Sequence, residues 1–155
     1  MRLYYSLLII HFLLFITLSC GNNSQDSEIE SVMDKRKKAY ETKDLELYMS
    51  LISPEHSWKK KDKPVVSAGD IEKNFVNTSK MFDTVKISDA ERSIYIKGKE
   101  AEVVQLITVE ATINDSKSKF KILEKLRLKQ FDDKWLIIKE SDTDFFEGYV
   151  YGGIR

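Results

Sequence analysis

One cysteine, Cys20, is all that the 155 residues contain, so no intramolecular disulfide can hold this chain together. Charge of one sign is lacking too. The 25 basic residues balance 25 acidic ones, for a formal net charge of +0. A dedicated nucleic-acid binder carries a strong basic excess, and that class is excluded. Histidine is scarce: of two, only His56 lies beyond the N-terminal apolar run. No metal-ligand spacing, P-loop, dinucleotide fingerprint, nucleophile elbow or internal repeat is found in the sequence. No cofactor and no metal are therefore expected. What is present is ordinary for a globular domain, with 42% hydrophobic and 32% charged residues on a chain long enough for one real core.

Long hydrophobic runs are missing with one exception. After Arg2 comes LYYSLLIIHFLLFITL, 16 residues ending at Leu18, followed by Ser19, Cys20 and Gly21. A transmembrane span needs about 20 residues. A positive start, an apolar middle and a small residue before a break are instead the parts of a secretory signal peptide, here residues 1–19. Thr17-Leu18-Ser19-Cys20 resembles the lipobox of bacterial lipoproteins, departing from it at Thr17, where leucine is usual. The resemblance implies that Cys20 is lipidated, becomes the first mature residue and fixes the chain to a membrane of the bacterial cell envelope, the outer membrane in a diderm. Several acyl chains on one cysteine anchor stably where a single chain does not. A plain signal peptide or an uncleaved anchor is the alternative. Residues 20–27, with GNNSQDS after the cysteine, contain no further apolar residue and read as a flexible tether.

The folded domain is expected over residues 28–155. Ile29, Val32, Met33, Arg36, Ala39 and Tyr40 make one stripe at helical spacing, which predicts a helix over 28–42 with a charged residue inside its apolar face. Asp44 is placed to cap a second helix whose buried face is Leu45, Tyr48, Leu51 and Ile52, ended by Pro54. A short strand is expected near 56–60, within a polar stretch holding Trp58 and Lys59, Lys60, Lys61 and Lys63. Ser67 to Asp70 looks like a capping box opening a third helix, with Ile71, Phe75, Thr78 and Phe82 as its stripe.

The period then changes to two. Strands are predicted over 85–96, bent around Ser88-Asp89, and over 101–113, whose centre, Val103 to Val109, is apolar on both faces apart from Gln105 and Thr108 and so interior. Turns are placed at Gly98-Lys99 and Asn114 to Ser116. A hairpin over 120–141 turns at Asp132-Asp133 and forms the spine of one curved sheet. The tail is aromatic, with Phe145, Phe146, Tyr149 and Tyr151. Helices first and a meander of long strands afterwards give an α+β class: N-terminal helices packed in the concave face of a curved, mostly antiparallel sheet.

The run Ala39 to Tyr48, closing on Leu51, resembles the helix-turn-helix start of the nuclear transport factor 2-like superfamily, and Asp132 to Ile138 resembles its last hairpin. The resemblance spans about residues 28–141 and implies a cone-shaped α+β barrel. That superfamily includes ketosteroid isomerases, scytalone dehydratases, polyketide cyclases and non-enzymes, so fold does not settle function.

One face of the first hairpin strand reads Phe120, Ile122, Glu124, Leu126, Leu128 and the other Lys121, Leu123, Lys125, Arg127, Lys129. The apolar face points into the cone and takes Glu124 with it. A carboxylate there needs a partner or a shifted pKa, and the inward Arg36 is the candidate partner. By resemblance, ketosteroid isomerases place an acid on the matching strand. Their pocket tyrosine falls on Arg36, however, and their catalytic carboxylate on Lys60, with Glu55 and His56 a few residues earlier. The isomerase constellation is therefore absent. Scytalone-dehydratase chemistry leans on histidines, and His56 has nothing nearby in sequence to orient it.

The candidate pocket is Arg36, Tyr40, Tyr48, Trp58, Gln105 and Glu124, with no residue assigned as catalytic. The lysines around Trp58 form a solvated loop or touch anionic membrane. The expected activity is binding of a small apolar ligand or an envelope protein, with a second copy of the chain as a further candidate partner. The alternative is a lyase, isomerase or hydrolase using Glu124 as acid or base.

Overall fold

The computed structural model describes residues 21–56 and 68–140. Residues 1–19, expected as a signal peptide, Cys20, Trp58 with its lysines and the aromatic tail lie outside them. Three helices precede four strands: α1 (Gly21–Thr42), α2 (Leu45–Met49), α3 (Ala68–Met81), β1 (Thr84–Lys97), β2 (Glu100–Ile113), β3 (Ser116–Phe131) and β4 (Lys134–Lys139).

Helix α1 buries Ile29, Val32, Met33, Arg36 and Ala39, the stripe expected from spacing. It starts at Gly21 rather than Glu28, so the segment expected as a flexible tether is helical; the Ser27 hydroxyl donates to the Ser24 carbonyl within it. Lys43, at φ 57, ends the helix in a left-handed turn, and its ammonium donates to the carbonyls of Phe82 and Asp83. Asp44 caps α2 by accepting from the Leu47 N–H at 2.9 Å. Helix α2 stops at Met49, well before Pro54. Ile52 has left the helix to make a parallel bridge with Ile137, through Ser53 N–H to the Ile137 carbonyl and Ile137 N–H to the Leu51 carbonyl.

The sheet is an antiparallel meander in the order β1-β2-β3-β4. Its turns use left-handed residues where expected: Gly98 (φ 62), Asn114 and Asp115 (φ 46 and 64) and Asp132 (φ 51). Strand β2 is interior, as expected, but only one of its faces is fully buried. Ala101, Val103, Gln105, Ile107 and Val109 point in, while Val104 and Leu106 are half-buried on the other side. On β3 the buried residues are Phe120, Ile122, Glu124, Leu126 and Leu128, with Lys121, Leu123, Lys125 and Arg127 exposed opposite them.

Two register shifts set which side chains enter the cone. Between Asp89 and Glu91 the pairing of β1 slips by one residue. Ile87 faces in before it; Arg92 and Ile94, opposite Gln105 and Val103, face in after it. Between Leu128 and Arg127 the partner jumps from Ile137 to Lys139, which turns Lys139 outward. Such bulges bend a strand and re-aim the side chains beyond them. The helices fill the hollow in two apolar clusters. One joins Ile29 and Met33 to Val103, Leu126, Leu128 and Ile137; the other holds Phe82, Ile107, Val109 and Phe120.

Candidate functional site

Arg36 stands seven residues after Ile29 on the inward stripe of α1, so the helix drives its guanidinium between the two apolar clusters. There it meets Glu124 of β3. Nη1 donates to Oε2 at 3.2 Å and Nη2 to Oε1 at 3.3 Å, with Arg36 7% and Glu124 5% exposed. The paired contact matches the fork of a guanidinium to a carboxylate. Arg36 also donates from Nε to Glu140 Oε1 at 2.7 Å, so one cation serves two carboxylates. Burial alone would lower the Arg36 pKa; Glu124 and Glu140 outweigh it and hold the group firmly charged.

The cluster extends both ways. Gln105, opposite Glu124 in the β2–β3 register, donates from Nε2 to Glu124 Oε2 at 2.7 Å and accepts at Oε1 from Arg92 Nε at 2.9 Å. Its amide is thereby fixed in one orientation. Arg92 continues to Glu30 and Asp34 on α1. On the other side the Tyr48 hydroxyl donates to Glu140 Oε2 at 2.8 Å. Burial raises the Glu140 pKa, but Arg36 and the Tyr48 hydrogen bond more than offset this and keep it below the usual carboxylate value. Burial pushes the hydroxyls of Tyr40 and Tyr48 up, so both are neutral.

Aromatic rings close the space around the ions. Tyr48 stacks on Phe75 of α3 at 4.5 Å, Tyr40 lies 5.2 Å from Phe75 and 5.3 Å from Tyr48, and the Arg36 guanidinium sits 5.0 Å from the Tyr40 ring centre. The centre of the cone is therefore filled by a charge-paired cluster under a three-ring cover.

His56 is 7% exposed, and neither ring nitrogen has a hydrogen-bond partner among the described residues. Burial lowers its pKa, while Glu140 pulls the other way. A buried neutral histidine takes up its proton more readily in the unfolded chain. Stability is thus expected to fall as pH drops below about 6.5, the ordinary histidine value. Glu140, with a depressed pKa, adds a second loss as pH falls through the carboxylate range. Urea unfolding of wild type and His56→Leu between pH 7.5 and 5 checks this. The first loss should vanish in the variant; an unchanged pH slope would remove His56 as its source.

Of the six candidate pocket residues, five come together: Arg36, Tyr40, Tyr48, Gln105 and Glu124. Trp58 lies outside the described residues. Two members were missed, Arg92 and Glu140. Each follows a bulge, and strict alternation from Ile87 or from Trp135 puts both on the wrong face. No group of histidine, cysteine, aspartate and glutamate able to hold a metal occurs among the described residues. No helix among them is long and apolar enough to cross a membrane.

No protein-family model matches the sequence, and no curated protein matches it. Solved structures do match. A candidate dehydratase of the nuclear transport factor 2-like family from Streptomyces avermitilis superposes with a TM-score of 0.66 at 12% identity, covering 76% of this chain and 94% of its own. A candidate calcium/calmodulin dependent protein kinase II association domain from Xanthomonas campestris gives 0.62 at 21% identity, covering 73% and 82%. A type 2 hexachlorocyclohexane dehydrochlorinase gives 0.63 at 8% identity, covering 77% and 84%. Enzymes and an association domain thus share this architecture, and at such identities the likeness establishes the fold alone. With its helices laid into an antiparallel meander in the same way, the chain has the nuclear transport factor 2-like fold.

Proposed function

We propose that the protein is a lipoprotein of the bacterial cell envelope whose cone domain works by binding rather than catalysis, with an envelope protein or a small apolar molecule as ligand. One observation carries the non-catalytic reading. Glu124, the carboxylate expected to serve an enzyme, is gripped by Arg36 and Gln105 and almost closed to solvent. A general acid or base must reach a substrate proton directly or through one water. Both Glu124 oxygens are instead spent on holding α1 to the sheet, as in a structural ion pair. The association-domain neighbour is consistent with a cone used for contact.

The anchor rests on the apolar run and on Cys20. Cys20→Ala is expected to release the protein from the membrane fraction or to stall its processing in the bacterial host, read by fractionation and mature mass. A variant that fractionates and matures like wild type would end the lipoprotein reading.

A second reading draws on His56. Its two ring nitrogens have no hydrogen-bond partner among the described residues, so His56, though as closed to solvent as Glu124, is the less tied of the two as acid–base group for a lyase, isomerase or hydrolase. The readings separate on His56→Gln. Loss of a cellular phenotype with stability and partner capture intact would favour the enzyme; a phenotype that follows Cys20→Ala and ignores His56→Gln would favour binding.

A further inference from the structure

The outer face of the sheet is charged out of proportion to the chain. Its outward strand positions carry Lys86 and Lys97 on β1, Lys117, Lys119, Lys121, Lys125, Arg127 and Lys129 on β3, and Lys134 and Lys139 on β4. Against these ten cations stand Glu91, Glu100, Glu102 and Glu110, with Glu55 reaching Lys129 from the edge. The face has a formal excess of five positive charges on a chain whose net charge is zero. The acidic turn residues Asp115, Asp132 and Asp133 sit at the ends of the sheet, so the excess lies on the strands.

Two features give the patch more shape than a solvated surface. Leu123, 63% exposed, stands in the middle of the β3 cation row, opposite half-buried Leu106, and Tyr95, 62% exposed, shares the face. At one end a groove of about 390 Å³ is lined by Lys86, Lys117 and Lys119 with Thr84, Thr112 and Glu110. Lys119 holds the Glu110 carboxylate at 2.8 Å and, by that hydrogen bond and with weaker pulls from Lys86 and Lys117, lowers its pKa; one carboxylate thus faces three ammonium groups, which leaves the groove net positive beside the threonine hydroxyls. Lysines along an open strand edge deter strand pairing, but that role does not call for an exposed leucine among them.

We propose that this face docks on an anionic phospholipid bilayer, with a headgroup phosphate in the Lys86–Lys117–Lys119 groove and with Leu123 and Tyr95 against the interface. Polybasic surfaces are drawn to anionic leaflets, and apolar and aromatic side chains among the cations suit the headgroup boundary. A second copy is the poorer occupant, because a two-fold contact would press two positive faces together. Docking of this kind depends on the charge and shape of the sheet and not on lipidation of Cys20.

The test uses the full chain with a photo-crosslinking benzoylphenylalanine in place of Leu123, mixed with vesicles of phosphatidylcholine, with or without phosphatidylglycerol. Vesicle flotation and adduct mass are both read. A lipid adduct is expected with phosphatidylglycerol, several-fold weaker without it and suppressed by high salt. Lys86→Gln, Lys117→Gln and Lys121→Gln together change residues that make no ion pair among the described residues, and should reduce the adduct at least about tenfold. Lys35→Gln, Lys38→Gln and Lys73→Gln change the net charge equally on the helices and should leave it. An equal loss in that control, an adduct of two protein chains, or no lipid adduct with anionic vesicles, whether or not the chain floats, would each overturn the docking surface. Failure to float with neutral vesicles would instead count against the anchor alone.

Discussion

Arg36→Met is expected to lose roughly 3–5 kcal/mol of unfolding free energy at pH 7, the range for breaking a buried ion pair from one side. The loss should exceed that of either carboxylate change. Without Arg36, the described residues leave Glu124 the Gln105 amide and Glu140 the Tyr48 hydroxyl, two charges with no cation among those residues in hydrogen-bond contact. Glu124→Gln is milder, because Arg36 keeps Glu140 and an amide still fills the space. Glu140→Gln is milder for the mirror reason.

A two-residue cycle between Arg36 and Glu124 is therefore incomplete. Arg36→Met with Glu124→Gln still strands Glu140, and only the triple variant with Glu140→Gln removes every charge of the trio. The triple should recover a large part of what Arg36→Met loses, since a neutral replacement of a buried ion group is often close to harmless. The pH dependence supplies a second readout. In wild type Glu140 has a depressed pKa, so its contribution is lost as pH falls. In Arg36→Met the Glu140 carboxylate loses the cation that lowers its pKa, so the fall in stability from pH 7 to 5 seen in wild type should shrink or reverse. Urea unfolding of the four variants at both pH values decides the matter. Additive effects, or an Arg36→Met loss under about 1 kcal/mol, would show that the cluster does not hold α1 to the sheet.

Arg36 and Glu124 were legible because each interrupts an otherwise apolar stripe, at period 3.6 on α1 and period 2 on β3, and both elements are regular. Gln105 was legible for the same reason on β2. Arg92 and Glu140 were hidden by local geometry. A bulge inserts one residue and inverts every later position; the bend expected around Ser88-Asp89 falls beside the β1 bulge but does not tell that the facing inverts there, and nothing in WLIIKE marks the shift in β4. The early start of α1 was hidden because GNNSQDS has no apolar residue to show a period. The early end of α2 was hidden too, since the Ile52–Ile137 bridge is a contact between distant segments. The face of β3 was plain, and so was its turn, where Asp132 takes the left-handed backbone that short polar side chains tolerate.

That face assignment has its own large consequence. Leu126→Ala is expected to cost roughly 2–5 kcal/mol. Leu126 is fully buried, stands opposite Val103 on β2, and belongs to the cluster that seats Ile29 and Met33 of α1 on the sheet. Truncation removes three carbons from that contact, and the sheet backbone on both sides of β3 limits how far the walls can collapse. Where the cost falls in the range depends on hydration. An apolar cavity stays empty, but one bordered by polar groups can admit a water. Glu124 is two residues away on the same face, whereas Leu128, opposite Ala101 and Ile137, has no charged neighbour in its register. Leu128→Ala is therefore expected to cost at least as much as Leu126→Ala. Lys121→Ala, on the exposed side of the same strand, should stay within about 0.5 kcal/mol of wild type. Denaturant unfolding of the three variants checks the order. A one-residue slip of β3 would exchange its faces, and a large loss at Lys121 with a small one at Leu126 is the result that would reveal it.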